Sequence, residues 1–386
     1  MKATGTYLTC TTAGESFRAF VPAPLPLDPP LHLEGQDYDL LEQANRALGR
    51  LDGIATLLPD SSIFIYFYVR KEALLSSQIE GTQSSLADLL LHENQMAPGV
   101  PMEDVQEVSS YVAAMNHGLT RIRRDGFPMS LRLIREIHSI LMANGRGSTK
   151  DPGEFRRSQN WLGGTRPGNA VFVPPPPEKL MQCMGNLEKF LHDQPQRTPV
   201  LIKSALAHVQ FETIHPFLDG NGRLGRLLIT LLLCSEGALS EPLLYLSLYF
   251  KQNRQAYYDL LQSVRLKGNW LGWLRFFLEG VRETAQQAAE TAKAILAQIE
   301  QDRDEIEKLG RRAGSAHRLH QLLQRRPLLS VPVAARDLML SAPTARAAIE
   351  ELEDIKIVRE ITGKQRDRIY IYDPYLKILG AGTEPL

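Results

Sequence analysis

Between two long apolar stretches, Leu201 to Ile214 and Leu227 to Cys234, the chain carries Asp219-Gly220-Asn221-Gly222, a run that neither a helix nor a strand continues through comfortably. The fold must turn here. The sequence therefore reads as a mostly buried helix, a tight loop and a second mostly buried helix that starts at Arg223. The two glycines permit backbone angles that turn successive N–H groups toward one point, a nest suited to phosphate oxygens. The free N–H groups and positive dipole end of the second helix face the same anion.

The side chains around that loop fit the same ligand. Arg223 and Arg226 are three apart on the first turn of the second helix and can take separate phosphates by forked hydrogen bonds. Asp219 supplies the hard oxygen that Mg²⁺ prefers. His215, ending the first helix and fixed by Pro216 with Phe217 as an anchor into the core, is placed as a general base toward a hydroxyl. A helix-capping loop alone accounts for the glycines but not for the histidine, the aspartate and the two arginines. The chain lacks the Gly-x-x-x-x-Gly-Lys-(Ser/Thr) pattern of P-loop enzymes.

His215-Pro-Phe-Leu-Asp-Gly-Asn-Gly-Arg-Leu-Gly-Arg226 resembles the Fic family signature His-Pro-Phe-x-(Asp/Glu)-Gly-Asn-(Gly/Lys)-Arg-x-x-Arg at every specified position. The resemblance implies an enzyme that joins the α-phosphate of ATP to a Ser, Thr or Tyr hydroxyl of a target protein, or of itself, and releases pyrophosphate. It implies that His215 deprotonates the hydroxyl and that Asp219 holds Mg²⁺. Gly220, Asn221 and Gly222 would cradle the α- and β-phosphates, Arg223 the β-phosphate and Arg226 the γ-phosphate, with Leu224 and Gly225 inside the same ATP-binding segment. Catalysis would rest on in-line positioning and charge stabilisation.

Two further segments fit that family. Ser76-Ser-Gln-Ile-Glu80-Gly81, within a helical run expected from Tyr66 to His92, resembles the Fic inhibitory element (Ser/Thr)-x-x-x-Glu-(Gly/Asn). Ser76 and Glu80 are four apart and share a helix face. The resemblance implies that Glu80 pairs with Arg226, occupies the γ-phosphate position and holds the enzyme inactive; in some relatives the equivalent Glu helps remove AMP instead. Asn160 to Pro177 reads as a hairpin halted by four prolines. It resembles the Fic flap that holds a target segment by strand addition, with Val171 and Phe172 near its tip. Similar proteins also draw their adenine and ribose pocket from the region of Tyr249, Asn253, Tyr257 and Tyr258, so Tyr249 and Tyr257 are candidate ATP-binding residues.

At 386 residues the chain has room for two or three domains. Lys+Arg and Asp+Glu are both 44, so bulk charge argues for neither a nucleic-acid nor a membrane partner. Cys10, Cys183 and Cys234 are far apart and odd in number, which suggests a reducing compartment without disulfides or a zinc site. With no leader pattern and no apolar run of membrane length, a soluble, cytoplasmic protein is expected.

The expected fold class is mainly α: a Fic helical bundle with a β-hairpin flap, plus a small C-terminal winged helix-turn-helix. Residues 1–110 form the N-terminal region with the inhibitory helix, 111–280 the catalytic core, 281–314 a long exposed helical linker, and 315–377 the winged helix. In that last segment helices at Ala316–Gln324, Val331–Met339 and Thr344–Asp354 precede strands Val358–Ile361 and Arg368–Tyr372, with Thr344 capping the recognition helix. Arg346, Lys364, Arg366 and Arg368 could meet DNA phosphates, but Glu350, Glu351, Glu353 and Asp354 crowd that helix, so DNA contact and docking of a protein or a second copy stay open. Alternatives to AMP transfer are a transcription regulator whose Fic-like domain senses nucleotide, and another phosphodiester transfer on the same fold.

Overall fold

The structure, a computed structural model, describes residues 4–12, 14–57, 61–93 and 101–384, and is mainly helical. The chain divides into two compact units, residues 1–56 with 68–286 and residues 57–67 with 287–384. No helix among the described residues is long and apolar enough to cross a membrane.

The larger unit opens with a regular antiparallel hairpin, β1 (Gly5–Thr12) and β2 (Glu15–Pro22), where the sequence reading named no strand. Phe17 and Ala19 of β2 are buried while Arg18 between them is exposed, the period-2 alternation of a half-buried strand. The helices α1 (Gly35–Leu57), α2 (Ser61–Ile79) and α3 (Leu86–Glu93) follow along the chain, with residues 57–67 counted in the smaller unit. The helix expected from Tyr66 to His92 is thus two helices. Gly81 takes φ +99°, and Ser85 and Asp88 form a reciprocal cap: Asp88 accepts from the Ser85 N–H at 3.0 Å while Ser85 Oγ accepts from the Asp88 N–H at 3.2 Å. Glu80 consequently sits in the turn after α2.

Next come α4 (Met102–Arg123), α5 (Leu131–Leu141), α6 (Pro177–Leu191), α7 (Val200–Ile214), α8 (Asn221–Ser235), α9 (Ser247–Gln252), α10 (Arg254–Lys267) and α11 (Trp270–Glu307). α7 is buried on nearly every face, as befits the central helix of a bundle. It packs against α8, which also meets α4 and α5. Two glycines allow this: a Cβ on Gly225 would lie 2.6 Å from Glu212 Oε1 of α7, and one on Gly118 of α4 would lie 2.6 Å from Leu231 Cδ1. The expected exposed linker is mostly the part of α11 from Val281 onward. It carries a buried stripe, Val281, Ala285, Ala288, Ala292 and Ile295, spaced by three and four residues. Small alanines hide that stripe from a reading that looks for large apolar residues.

The smaller unit contains α12 (Ala313–Arg325), β3 (Leu328–Ser330), α13 (Val331–Asp337), α14 (Ala342–Asp354), β4 (Val358–Glu360), β5 (Ile369–Tyr372) and α15 (Asp373–Gly380). Its antiparallel sheet has the order β3-β5-β4, one strand more than expected. β3 escapes notice because it is only three residues long and runs straight into α13. Inside the unit, Tyr372 donates to Asp302 Oδ2 at 2.5 Å and meets His320 Nε2 at 2.9 Å, so the buried polar groups satisfy one another. The cap of α14 is Ser341, whose Oγ accepts from the Thr344 N–H at 3.3 Å; Thr344 is inside the helix, not at its cap. We expect Ser341→Ala to destabilise this unit by about 1 kcal/mol in urea unfolding, and Thr344→Ala to cost clearly less.

Candidate active site

α7 ends where His215 adopts the left-handed conformation, φ 50° and ψ 61°, a costly region for a residue with a Cβ. Tertiary hydrogen bonds hold it there. The His215 carbonyl accepts from Arg156 Nε at 2.9 Å and from Asn160 Nδ2 at 3.2 Å. Arg156, itself buried, also donates to the carbonyls of Ser158 and Pro175. Asn221 closes the loop, with Oδ1 accepting from the Phe217 N–H and Nδ2 donating to the Phe217 carbonyl, both at 2.9 Å. Its amide is thus used inside the loop, which leaves its backbone for a ligand.

Phe217 stacks on His138 with ring centroids 3.6 Å apart. His138 Nδ1 accepts from the Gly153 N–H at 2.8 Å, so Nε2 carries the proton and donates to the Asp219 carbonyl at 3.0 Å. Burial pushes His138 down to about 4, which keeps it neutral. His138 is thus a core histidine that also braces the loop.

These constraints leave a cleft of about 390 Å³. His215, Asp219 and the start of α8 line one side; Glu80, Glu107, Arg146, Trp161 and Leu162 complete it. Gly220, at φ 76°, caps α8 and lets the helix begin at Asn221. The first N–H groups of Asn221, Gly222 and Arg223 have no intrahelical acceptor, and these residues border the cleft.

Both arginines are nearly inaccessible, 4% exposed for Arg223 and 2% for Arg226, and both meet carboxylates. Arg226 donates from Nε to Ser76 Oγ at 2.9 Å, and from Nη2 to the Ser76 carbonyl at 2.9 Å and to Glu80 Oε1 at 2.7 Å. Burial works to raise the Glu80 carboxyl, but Arg226, with Arg223 behind it, outweighs it and holds Glu80 below the ordinary range. Arg223 Nη1 lies 3.0 Å from Glu107 Oε1, an ion pair whose angle makes no hydrogen bond. Its Nη2 lies 3.8 Å from Asp219 Oδ1.

Burial, with Arg265 and Arg156 nearby, pushes the His215 imidazole down to about 3. Its Nδ1 has no hydrogen-bond partner among the described residues, and the Glu212 carboxylate stands 4.0 Å away. Burial lifts Glu212 to about 7 against the pull of Arg226 and Arg265. Glu107 and Glu212 were missed by the sequence reading. The signal that could have found them is a carboxylate inside an otherwise apolar helical face, on α4 and α7 respectively.

Other expected residues lie elsewhere. Tyr257 is buried among Phe250, Tyr258 and Trp273, and its hydroxyl meets His208 Nε2 at 2.9 Å. Tyr249 packs on Phe276 and points its hydroxyl at Glu279. Neither lines the cleft. The segment expected as a flap hairpin is a loop closed by one bridge, Leu162 to Phe172, around a 3₁₀ turn at Pro167–Asn169. Val171 is 69% exposed, whereas Phe172 is buried beneath the Arg265 guanidinium. Asn169 Oδ1 accepts from the N–H groups of Thr165 and Arg166, replacing a ladder with local turn bonds.

For a metal, Asp219 offers a half-exposed carboxylate whose Oδ1 accepts from the Gly220 N–H at 2.6 Å. Among the described residues no group of three or more His, Cys, Asp or Glu forms an all-protein cage. One carboxylate beside an anion cradle matches the way Mg²⁺ is usually held, by one or two carboxylates together with substrate phosphates.

Residues 38–120 match the family model described as Fic/DOC family N-terminal, and residues 128–233 match Fic/DOC family. The chain is 31% identical over 257 residues to the protein adenylyltransferase Fic of Aedes aegypti, covering 66% of this chain and 48% of that protein. It is 30% identical over 210 residues to the protein of the same name from Drosophila melanogaster, covering 53% and 39%. This chain therefore spans about half the length, or less, of these curated relatives. A Fic family protein from Desulfovibrio desulfuricans G20 superposes with a TM-score of 0.58 at 20% identity, covering 89% of this chain and 97% of that one, which speaks to the fold. A Fic-1 fragment from C. elegans superposes with a TM-score of 0.50 at 22% identity over 68% and 73% of the two chains. The two family matches cover the helices that build the cleft, and this chain belongs to the Fic/DOC family.

Proposed function

We propose that the cleft binds ATP and transfers AMP to a hydroxyl of a protein, releasing pyrophosphate, and that Glu80 keeps the resting site closed. The observation that carries this reading is that His215, Asp219 and the N-terminus of α8 open onto one cleft beside two buried arginines. The name protein adenylyltransferase borne by the relatives agrees with it.

In this reading the hydroxyl oxygen bonds to the α-phosphorus, the bond from that phosphorus to the β-phosphate bridging oxygen breaks, and the hydroxyl proton passes to His215. The backbone of Asn221 and Gly222 takes the phosphate oxygens, Arg223 the β-phosphate and Arg226 the γ-phosphate. Asp219 would hold Mg²⁺, which supplies charge neutralisation to the polyphosphate. With Arg226 bound to Glu80, the γ-phosphate loses its partner, so ATP binds in a pose that does not react.

Incubation with ATP labelled at the α-phosphate tests the reading. Glu80→Gly is expected to raise protein labelling at least tenfold, the scale of one lost buried ion pair, and adding His215→Ala to abolish it. Unchanged labelling in Glu80→Gly would remove the inhibitory role; labelling that survives the loss of His215 would remove the base.

The pH dependence gives an independent check. A histidine whose value lies far below the ordinary one of about 6.5 stays unprotonated, and so able to accept a proton, well into the acid range. The kcat/KM of the Glu80→Gly protein should therefore stay flat from neutral pH down to about 5. A fall with an apparent pKa near 6.5 would contradict it.

A further inference from the structure

Arg146 lies outside every motif of the sequence, yet it lines the cleft beside Asp219 and Arg223. It sits between Gly145 and Gly147, both at positive φ, +78° and +83°. A Cβ on Gly147 would lie 2.5 Å from Asp219 Oδ2, and one on Gly145 would lie 3.2 Å from the Glu103 carbonyl oxygen. The backbone on either side of Arg146 is thus pressed against the floor of the site and against α4, which fixes where its side chain starts.

Its Nε donates to Glu107 Oε2 at 3.2 Å, the one hydrogen bond recorded for this guanidinium among the described residues, and the side chain is 47% exposed. Glu107, 1% exposed, has Arg223 on its other oxygen. One buried carboxylate therefore stands between two guanidiniums. One carboxylate cannot neutralise two guanidiniums, so Arg223, Arg146 and Glu107 taken together keep one positive charge. The carboxylates of Glu107, Asp104 and Asp219 all face Arg146. A guanidinium that donates one N–H to Glu107 and lines the cleft beside the first turn of α8 has further N–H groups to offer a phosphate.

We propose that Arg146 is a third polyphosphate-binding residue, contacting the pyrophosphate portion of the nucleotide, with Glu107 as the positioning residue that spaces it from Arg223. The proposal rests on the ATP reading above and adds a contact that the signature motif does not contain. It predicts that Arg146 discriminates nucleotides by phosphate number, since a single α-phosphate does not extend to it.

The test is calorimetric titration of ATP and of AMP, each with Mg²⁺, into Glu80→Gly, Glu80→Gly with Arg146→Ala, and Glu80→Gly with Arg146→Lys. Arg146→Ala should weaken ATP about tenfold and leave AMP unchanged, and Arg146→Lys should recover part of the loss through its point charge. ATP affinity that ignores Arg146, or ATP and AMP affinities that fall together, would overturn the proposal while leaving the ATP reading intact. If Glu80→Gly with Arg146 in place binds no ATP, the ATP reading fails and the proposal falls with it.

Discussion

A guanidinium buried to 2% exposure is tolerable only if its charge is answered at close range, and Arg226 in α8 is the group that imposes this demand on its unit. Its partners are the Ser76 hydroxyl, the Ser76 carbonyl and the Glu80 carboxylate. All three belong to the end of α2 and the turn after it, so satisfying one arginine fixes a second helix against the first. Glu72, one turn earlier on the same face as Ser76, accepts from the N–H and hydroxyl of Ser247 and adds a second anchor for α2. The residues that complete the core are thereby the residues that occupy the Arg226 guanidinium.

The same coupling explains the cleft. A loop with a histidine in the left-handed region and a helix start capped by glycine would relax if left alone. Arg156, Asn160, Asn221 and His138 each spend a side chain on carbonyls or N–H groups of that loop. What remains for a ligand is the imidazole, the Asp219 carboxylate and the helix N-terminus. Such a site is shaped before any ligand arrives, which is what preorganised charge stabilisation needs.

Much of the active-site loop was legible because its chemistry is local. Glycines at forced turns, a helix beginning after them, and charges one turn apart are written within a dozen residues; His215, Asp219 and the segment from Gly220 to Arg223 line one cleft, with Arg226 buried on the next turn. The contact between Glu80 and Arg226 spans 146 residues, and it was legible only through a motif. Arg146 carries no local pattern at all, and Glu107 only that of a carboxylate in an apolar helical face. Their significance comes from α4 and the loop after α5 meeting at Arg223, which no window of sequence contains. Tyr257 shows the reverse ambiguity: an aromatic at helical spacing suits a purine face and a core equally, and here Phe250 and Trp273 pack around it.

By itself the sequence determined a mainly helical chain, a helix–loop–helix with an anion cradle, and the residue types that chemistry requires there. Backbone propensity and short-range spacing suffice for that, because they act through bonds within a few residues. The tertiary structure alone decided which carboxylates answer which arginines, which rings are core, and that the regular hairpin lies at Gly5–Pro22 while the expected flap is a loop with a single bridge. These depend on burial, and burial raises the cost of an unpaired charge until distant segments are drawn together to meet it.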